Sequence, residues 1–279
     1  MLKKIIDLIL YSNFYIAVCA VALALQTQLL LLGKIAYSPV IGLIFFATLM
    51  IYATHRIVGL FRLKDFLEEG RYLVINKFKL HIWIYAALGL IGGVICFFQL
   101  NLNVQLALIV PAFLSLGYIF PVFGKKNALR LRDFNGVKIF LVASVWSYVT
   151  VLLPALYYET DFSITGWMLL ERFLFIFAIT LPFDIRDLEV DAFNKVKTIP
   201  AVLGIQKTLW LSILLLIAFL TITFFIYSWN IFLGMFIFSI LAAIIILKSP
   251  QQQHDYYFTG LVDGTMILQP IIIYWLANL

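Results

Sequence analysis

Residues 181–208 read LPFDIRDLEVDAFNKVKTIPAVLGIQKT. The segment leaves a long apolar run and turns polar at Asp184. Its carboxylates recur at Asp184, Asp187 and Asp191, intervals of three and four residues. Side chains so spaced share one face of a helix, so a helix continuing past Pro182 carries all three on one stripe. Like charges on one stripe repel, and something positive must offset them. Three hard oxygen ligands suit Mg²⁺, which proteins commonly hold through one or two carboxylates plus substrate phosphates. An aspartate stripe at the end of an apolar helix therefore suits a lipid diphosphate, with its tail in the bundle and its head at the interface. The plainer alternative is a solvated helix end neutralised by Arg186, Lys195 and Lys197.

The apolar run before Asp184 is one of nine. A helix needs about 20 apolar residues to cross the hydrocarbon core. Stretches at about 8–32, 39–60, 80–100, 104–122, 136–157, 166–183, 208–227, 231–247 and 259–277 qualify. Of the 279 residues, 64% are hydrophobic and 12% charged, against about 45–50% and about 25% in a soluble domain. A soluble chain of this size cannot hide that much apolar surface, whereas a lipid-embedded one need not. The expected fold is all-α and integral to the membrane: a bundle of about nine transmembrane helices forming a single domain over residues 1–279. Lys3 and Lys4 precede an apolar run too long for a signal peptide and without a clear small-residue cleavage site, so it reads as a retained first span. Cys19 and Cys96 both fall in apolar stretches, lack metal-ligand spacing and read as core or lipid-facing residues.

The net charge of +6 is spread over loops rather than gathered into a nucleic-acid face. Lys3 and Lys4 lead; Arg62, Lys64, Arg71, Lys77 and Lys79 follow in the second loop. Lys125, Lys126, Arg130 and Arg132 sit in the fourth loop, Arg186, Lys195, Lys197 and Lys207 in the sixth, and Lys248 in the eighth. The odd loops hold little beyond Lys34, Glu159 and Asp161. The positive-inside bias then predicts a multi-pass protein of the inner, cytoplasmic membrane with a cytoplasmic N-terminus. The long loops share that side, so a functional site is expected there.

Across residues 181–208 the order Asp184, Asp187, Asp191, Lys197, Thr198, Pro200, Leu203, Gly204 resembles the second aspartate-rich motif of the UbiA superfamily of intramembrane prenyltransferases. Tyr118-Ile-Phe-Pro121 followed by Lys125 and Lys126 resembles the superfamily's Tyr-Pro and Lys-Arg stretch. The nine-span layout fits as well. The resemblance implies a transferase that takes a polyprenyl diphosphate donor and a lipophilic acceptor in the bilayer. Mg²⁺ would be held by Asp184, Asp187 and Asp191, and the diphosphate met by Lys125, Lys126, Lys197 and Tyr118. Lysine is a point-charge phosphate binder, which agrees with that role.

The chain departs from the superfamily at the first aspartate motif, expected after the second span. Tyr52, Arg56 and Leu60 take the places of its Asn and two Asp residues, and Asp65, Glu68 and Glu69 lie further on at other spacings. One ligand set for a two-metal site is thereby lost. Arg56 offers a physical substitute, because a guanidinium binds phosphate oxygens directly, and His55 stands beside it as a donor or base. Lys138 either faces the same cavity or snorkels. Glu171 and Arg172 read as interfacial, and Asp263 suits a cavity-lining base or a structural partner. Two alternatives accompany the transferase: a terpene cyclase of the same superfamily, and a non-catalytic protein that binds isoprenoid phosphates.

Overall fold

The computed structural model describes residues 6–7, 9–10, 13–62, 77, 79–121, 129–193, 196–252 and 254–277. Among these, nine helices are long and apolar enough to cross a membrane. They are α1 Phe14–Leu32, α2 Pro39–Leu60, α3 Lys79–Phe97, α4 Leu102–Ile119 and α5 Val137–Tyr157. They continue with α6 Phe162–Arg186, α7 Ile205–Ile226, α8 Trp229–Gln251 and α9 Tyr257–Ala277. The chain is thus an all-α, multi-pass integral membrane protein. Hydrocarbon offers no partner for a backbone N–H or C=O, so each segment must close its own hydrogen bonds, and only helices do so one segment at a time.

Polar residues end the helices where the sequence places its punctuation. Asn101 accepts the Val104 N–H at 3.0 Å and starts α4. Asp161 accepts the Ser163 N–H at 2.8 Å and starts α6, four residues before the sequence expectation.

Neighbouring helices pack side by side from α4 through α9, and α9 returns against α1, which lies beside α2. The tightest contact is between α2 and α3. A Cβ built on Gly89 would stand 2.8 Å from the Met50 backbone nitrogen and the Phe46 carbonyl oxygen. One built on Gly92 would stand 2.5 Å from the Phe46 ring. Without a hydrophobic force between helices in lipid, such close backbone approach supplies the attraction. Cys19 and Cys96 are free and buried.

The interior also holds charge. Glu171 and Arg172 are each 1% exposed, which corrects their interfacial placement. Arg172 Nη1 donates to the Leu23 carbonyl and to Thr150 Oγ1, both at 3.1 Å. Tyr227 donates its hydroxyl to Glu171 Oε2 at 2.7 Å. Adjacent on the chain, the two residues face different helices, so each needs its own partner.

Candidate functional site

Described residues of the fourth, sixth and eighth loops meet at one end of the bundle, where a cavity of about 310 Å³ opens. Its walls come from α1, α2, α4, α5, α6 and α9. Asp184, Asp187 and Asp191 all line it, as do His55, Arg56 and Tyr118. The sequence expectation of one continuous aspartate helix is modified: α6 runs through Pro182 to Arg186 and ends with Asp187 as its cap. A short helix, Leu188–Phe193, then carries Asp191. The break is slight enough that Asp184 and Asp191 reach the same partner.

That partner is Lys138, at the start of α5. Its Nζ lies 2.8 Å from Asp184 Oδ1 and donates to Asp191 Oδ2 at 2.9 Å. The three side chains are nearly sealed, at 9%, 2% and 6% exposed. Removing two carboxylates from water is costly unless a cation compensates them, and the ammonium does so here.

Asp187 is bridged separately. Arg186 donates to both its oxygens, at 2.8 and 3.1 Å, and to Asp255 at 2.6 Å. The Arg186 guanidinium also sits over the Phe183 and Phe258 rings, at 4.9 and 5.2 Å.

The loop before α5 brings in two more guanidinium groups. Arg130 is clamped by Asp133 through three contacts of 2.7 to 3.1 Å. Burial raises the Asp133 carboxyl, but the hydrogen bonds and charge of Arg130 outweigh it and hold its pKa below the ordinary value. The clamp therefore stays ionised at neutral pH.

Arg132 turns into the cavity. Its guanidinium stacks 4.9 Å over the Tyr118 ring and stands 4.0 Å from Asp191 Oδ1. Arg132 Nη1 meets His55 Nε2 at 2.8 Å. Arginine only donates, so His55 Nε2 accepts and the ring carries its proton on Nδ1. In this arrangement His55 orients Arg132 instead of offering that nitrogen to a ligand.

One expected contributor, Lys197, is placed elsewhere. It is exposed and does not line the cavity. Its backbone ties the two loops instead, its N–H donating to Asn135 Oδ1 at 2.8 Å and its carbonyl accepting the Gly136 N–H at 3.0 Å. Lys125 and Lys126 lie outside the described residues, as do Asp65, Glu68 and Glu69. Sequence reading counted Arg132 only among the loop cations and did not single out Asp255, yet both line the cavity. Asp263 does line the cavity.

A second cavity, of about 350 Å³, lies between α1, α2, α3, α4 and α5 and is almost wholly apolar. Tyr52 and Trp146 line both cavities. Trp146 Nε1 donates to the Tyr52 hydroxyl at 3.2 Å, and the rings meet edge to face at 6.4 Å. The pair forms a partition between a charged chamber and a greasy one.

The resemblance implies a divalent metal on these carboxylates. Lys138 engages one oxygen of each carboxylate, Asp184 Oδ1 and Asp191 Oδ2, and its charge opposes a divalent ion between them. On the facing helix, Tyr52 and Arg56 stand where further ligands are expected. Among the described residues, no group of three or more His, Cys, Asp or Glu side chains is placed to hold a metal ion. The described donor set, as it stands, does not fit Mg²⁺.

A charged chamber standing over an apolar one, inside a polytopic helical bundle, defines the class of membrane protein. The sequence matches the UbiA prenyltransferase family over residues 71–256, and the chain belongs to that family. Solved structures similar to it include a digeranylgeranylglyceryl phosphate synthase, 15% identical over 97% of each chain with a TM-score of 0.59. A UbiA homolog from Archaeoglobus fulgidus bound to DMAPP and Mg²⁺ is 12% identical, over 96% of this chain and 99% of that one, with a TM-score of 0.60. A UbiA homolog from Aeropyrum pernix K1 is 14% identical over 97% of each chain, with a TM-score of 0.58. At these identities the likeness establishes the shared fold. No curated protein matches the sequence.

Proposed function

We propose that this protein is an intramembrane prenyltransferase, taking a polyprenyl diphosphate at the cytoplasmic end of the bundle and passing its prenyl group to a lipophilic acceptor. The observation that carries the reading is the adjacency of the two chambers, which share Tyr52 and Trp146 in their walls. A prenyl diphosphate has the same two parts: an anionic head and an apolar tail. Arg132, Lys138 and Arg56 line the head chamber, and the apolar chamber offers the tail a dry wall.

In the reaction, the bond between the allylic carbon and its oxygen breaks, and the electron pair leaves with pyrophosphate. The barrier falls when fixed positive charge faces the oxygen that gains it. Arg132 and Lys138 are placed for that task, Arg132 being held by His55 and by stacking on Tyr118. The allylic cation forms near the partition, where the electron-rich faces of Tyr52 and Trp146 stabilise it. An acceptor then adds to the cation and loses a proton. Asp263, in the cavity wall, is the carboxylate suited to receive it.

The full chain in lipid nanodiscs, given radiolabelled prenyl diphosphates of several lengths, tests this. Specific binding is expected, with pyrophosphate released once a lipophilic acceptor is supplied. Arg132→Ala should weaken binding by about tenfold, the worth of one charge-assisted hydrogen bond. A chain that binds no prenyl diphosphate would end the reading. Tight binding with no release under any acceptor would favour the second reading, a non-catalytic isoprenoid-phosphate binder. The substitution of the first motif by Tyr52, Arg56 and Leu60 is the observation behind that alternative.

A further inference from the structure

A metal ion at a diphosphate site has two tasks: it neutralises the carboxylates that hold it, and it presents surplus charge to the phosphate oxygens. In this chamber Lys138 supplies one positive charge to that first task, and Arg132 beside Asp191 a second. The Lys138 Nζ sits between Asp184 Oδ1, at 2.8 Å, and Asp191 Oδ2, at 2.9 Å. An ammonium has three donors. One is given to Asp191 Oδ2, the contact with Asp184 is an ion pair, and Lys138 also lines the cavity that a phosphate would enter.

The second task falls to guanidinium groups. Arg132 stands 4.0 Å from Asp191 Oδ1, and Arg56 lines the same chamber from α2. Among the described lining residues, basic side chains match the carboxylates in number, with Arg130 also paired to Asp133. A dication entering beside Lys138 would meet an ammonium in a nearly sealed pocket, where repulsion is weakly screened.

We infer that Lys138 stands in for a divalent metal, and that this chain binds the diphosphate head of its ligand without Mg²⁺. The inference rests on the proposal that the chamber takes a prenyl diphosphate. It predicts a binding site whose charge is built into the chain rather than recruited with the ligand.

The test uses the full chain in nanodiscs and two probes: Mn²⁺ alone, followed by electron paramagnetic resonance, and radiolabelled geranylgeranyl diphosphate in EDTA or in Mg²⁺. Wild type should show no protein-bound Mn²⁺ above empty nanodiscs. Its affinity in EDTA should lie within about threefold of that in Mg²⁺, a difference too small for a lost metal. Lys138→Gln should bind at least about tenfold more weakly in EDTA, recover in Mg²⁺, and gain a Mn²⁺ signal. Lys138→Arg should keep its EDTA affinity.

Wild-type binding that needs Mg²⁺ would overturn the inference and leave the prenyltransferase reading intact. Binding in neither condition would overturn both. Should Lys138→Gln not fold, the wild-type EDTA comparison and the Mn²⁺ spectrum decide alone.

Discussion

Arg172 is a cation placed ten residues into α6 with 1% of its surface exposed. A charge at that depth is costly unless it finds acceptors. Leu23 and Thr150 supply acceptors from α1 and α5, so the residue fastens three helices at one point. Arg172→Met should lower stability by about 1–3 kcal/mol, since it removes two hydrogen bonds and leaves a buried carbonyl without that partner. Thermal unfolding in detergent measures this. The diphosphate affinity should not change, because Asp184 lies about 18 Å further along the helix axis. Trp146 makes a different prediction. Trp146→Phe removes the indole donor to Tyr52 and thins the partition between the chambers. Preference among geranyl, farnesyl and geranylgeranyl diphosphates should move toward the longest, read by competition binding. An unchanged preference would show that the tail does not pass this pair.

The contact of α2 with α3 carries a prediction of its own. A Cβ on Gly89 would press on backbone atoms of Phe46 and Met50, which cannot rotate away. Gly89→Leu should destabilise the protein by about 1–3 kcal/mol or more through overpacking, seen as a fall in the unfolding temperature. Gly89 also lines the apolar cavity, so the surviving fraction should lose affinity for long-tailed ligands. Helix existence was legible in the sequence because nine apolar runs of spanning length leave little choice. Helix rotation was not. A span that is apolar all round carries no periodic signal for the side that faces its neighbours, so Lys138 read equally as an inward or a snorkelling residue. The aspartate spacing located one wall of the site, since intervals of three and four keep their meaning on any helix. The opposing wall stayed hidden: Arg132 lies in a loop whose path depends on the local Arg130–Asp133 clamp and on the long-range ties of Asn135 and Gly136 to Lys197.

Across the whole molecule, the charged chamber and the cation-rich loops share one end of the bundle, while Glu159 marks the other. Positive loop charge favours the cytoplasmic side, so the head chamber is expected to open where a water-borne phosphate product can leave. The native cysteines make this testable without a cysteine-free background, because Cys19 and Cys96 are 0% and 3% exposed. Lys197→Cys and Glu159→Cys both put a thiol at an exposed loop position. In sealed right-side-out vesicles, a membrane-impermeant maleimide should label Glu159→Cys and spare Lys197→Cys. Inverted vesicles should give the reverse. Labelling of Lys197→Cys from outside would place the head chamber on the far face. The positive-inside reading would then fail for this chain, and a prenyl diphosphate made in the cytoplasm would have no direct route to the site.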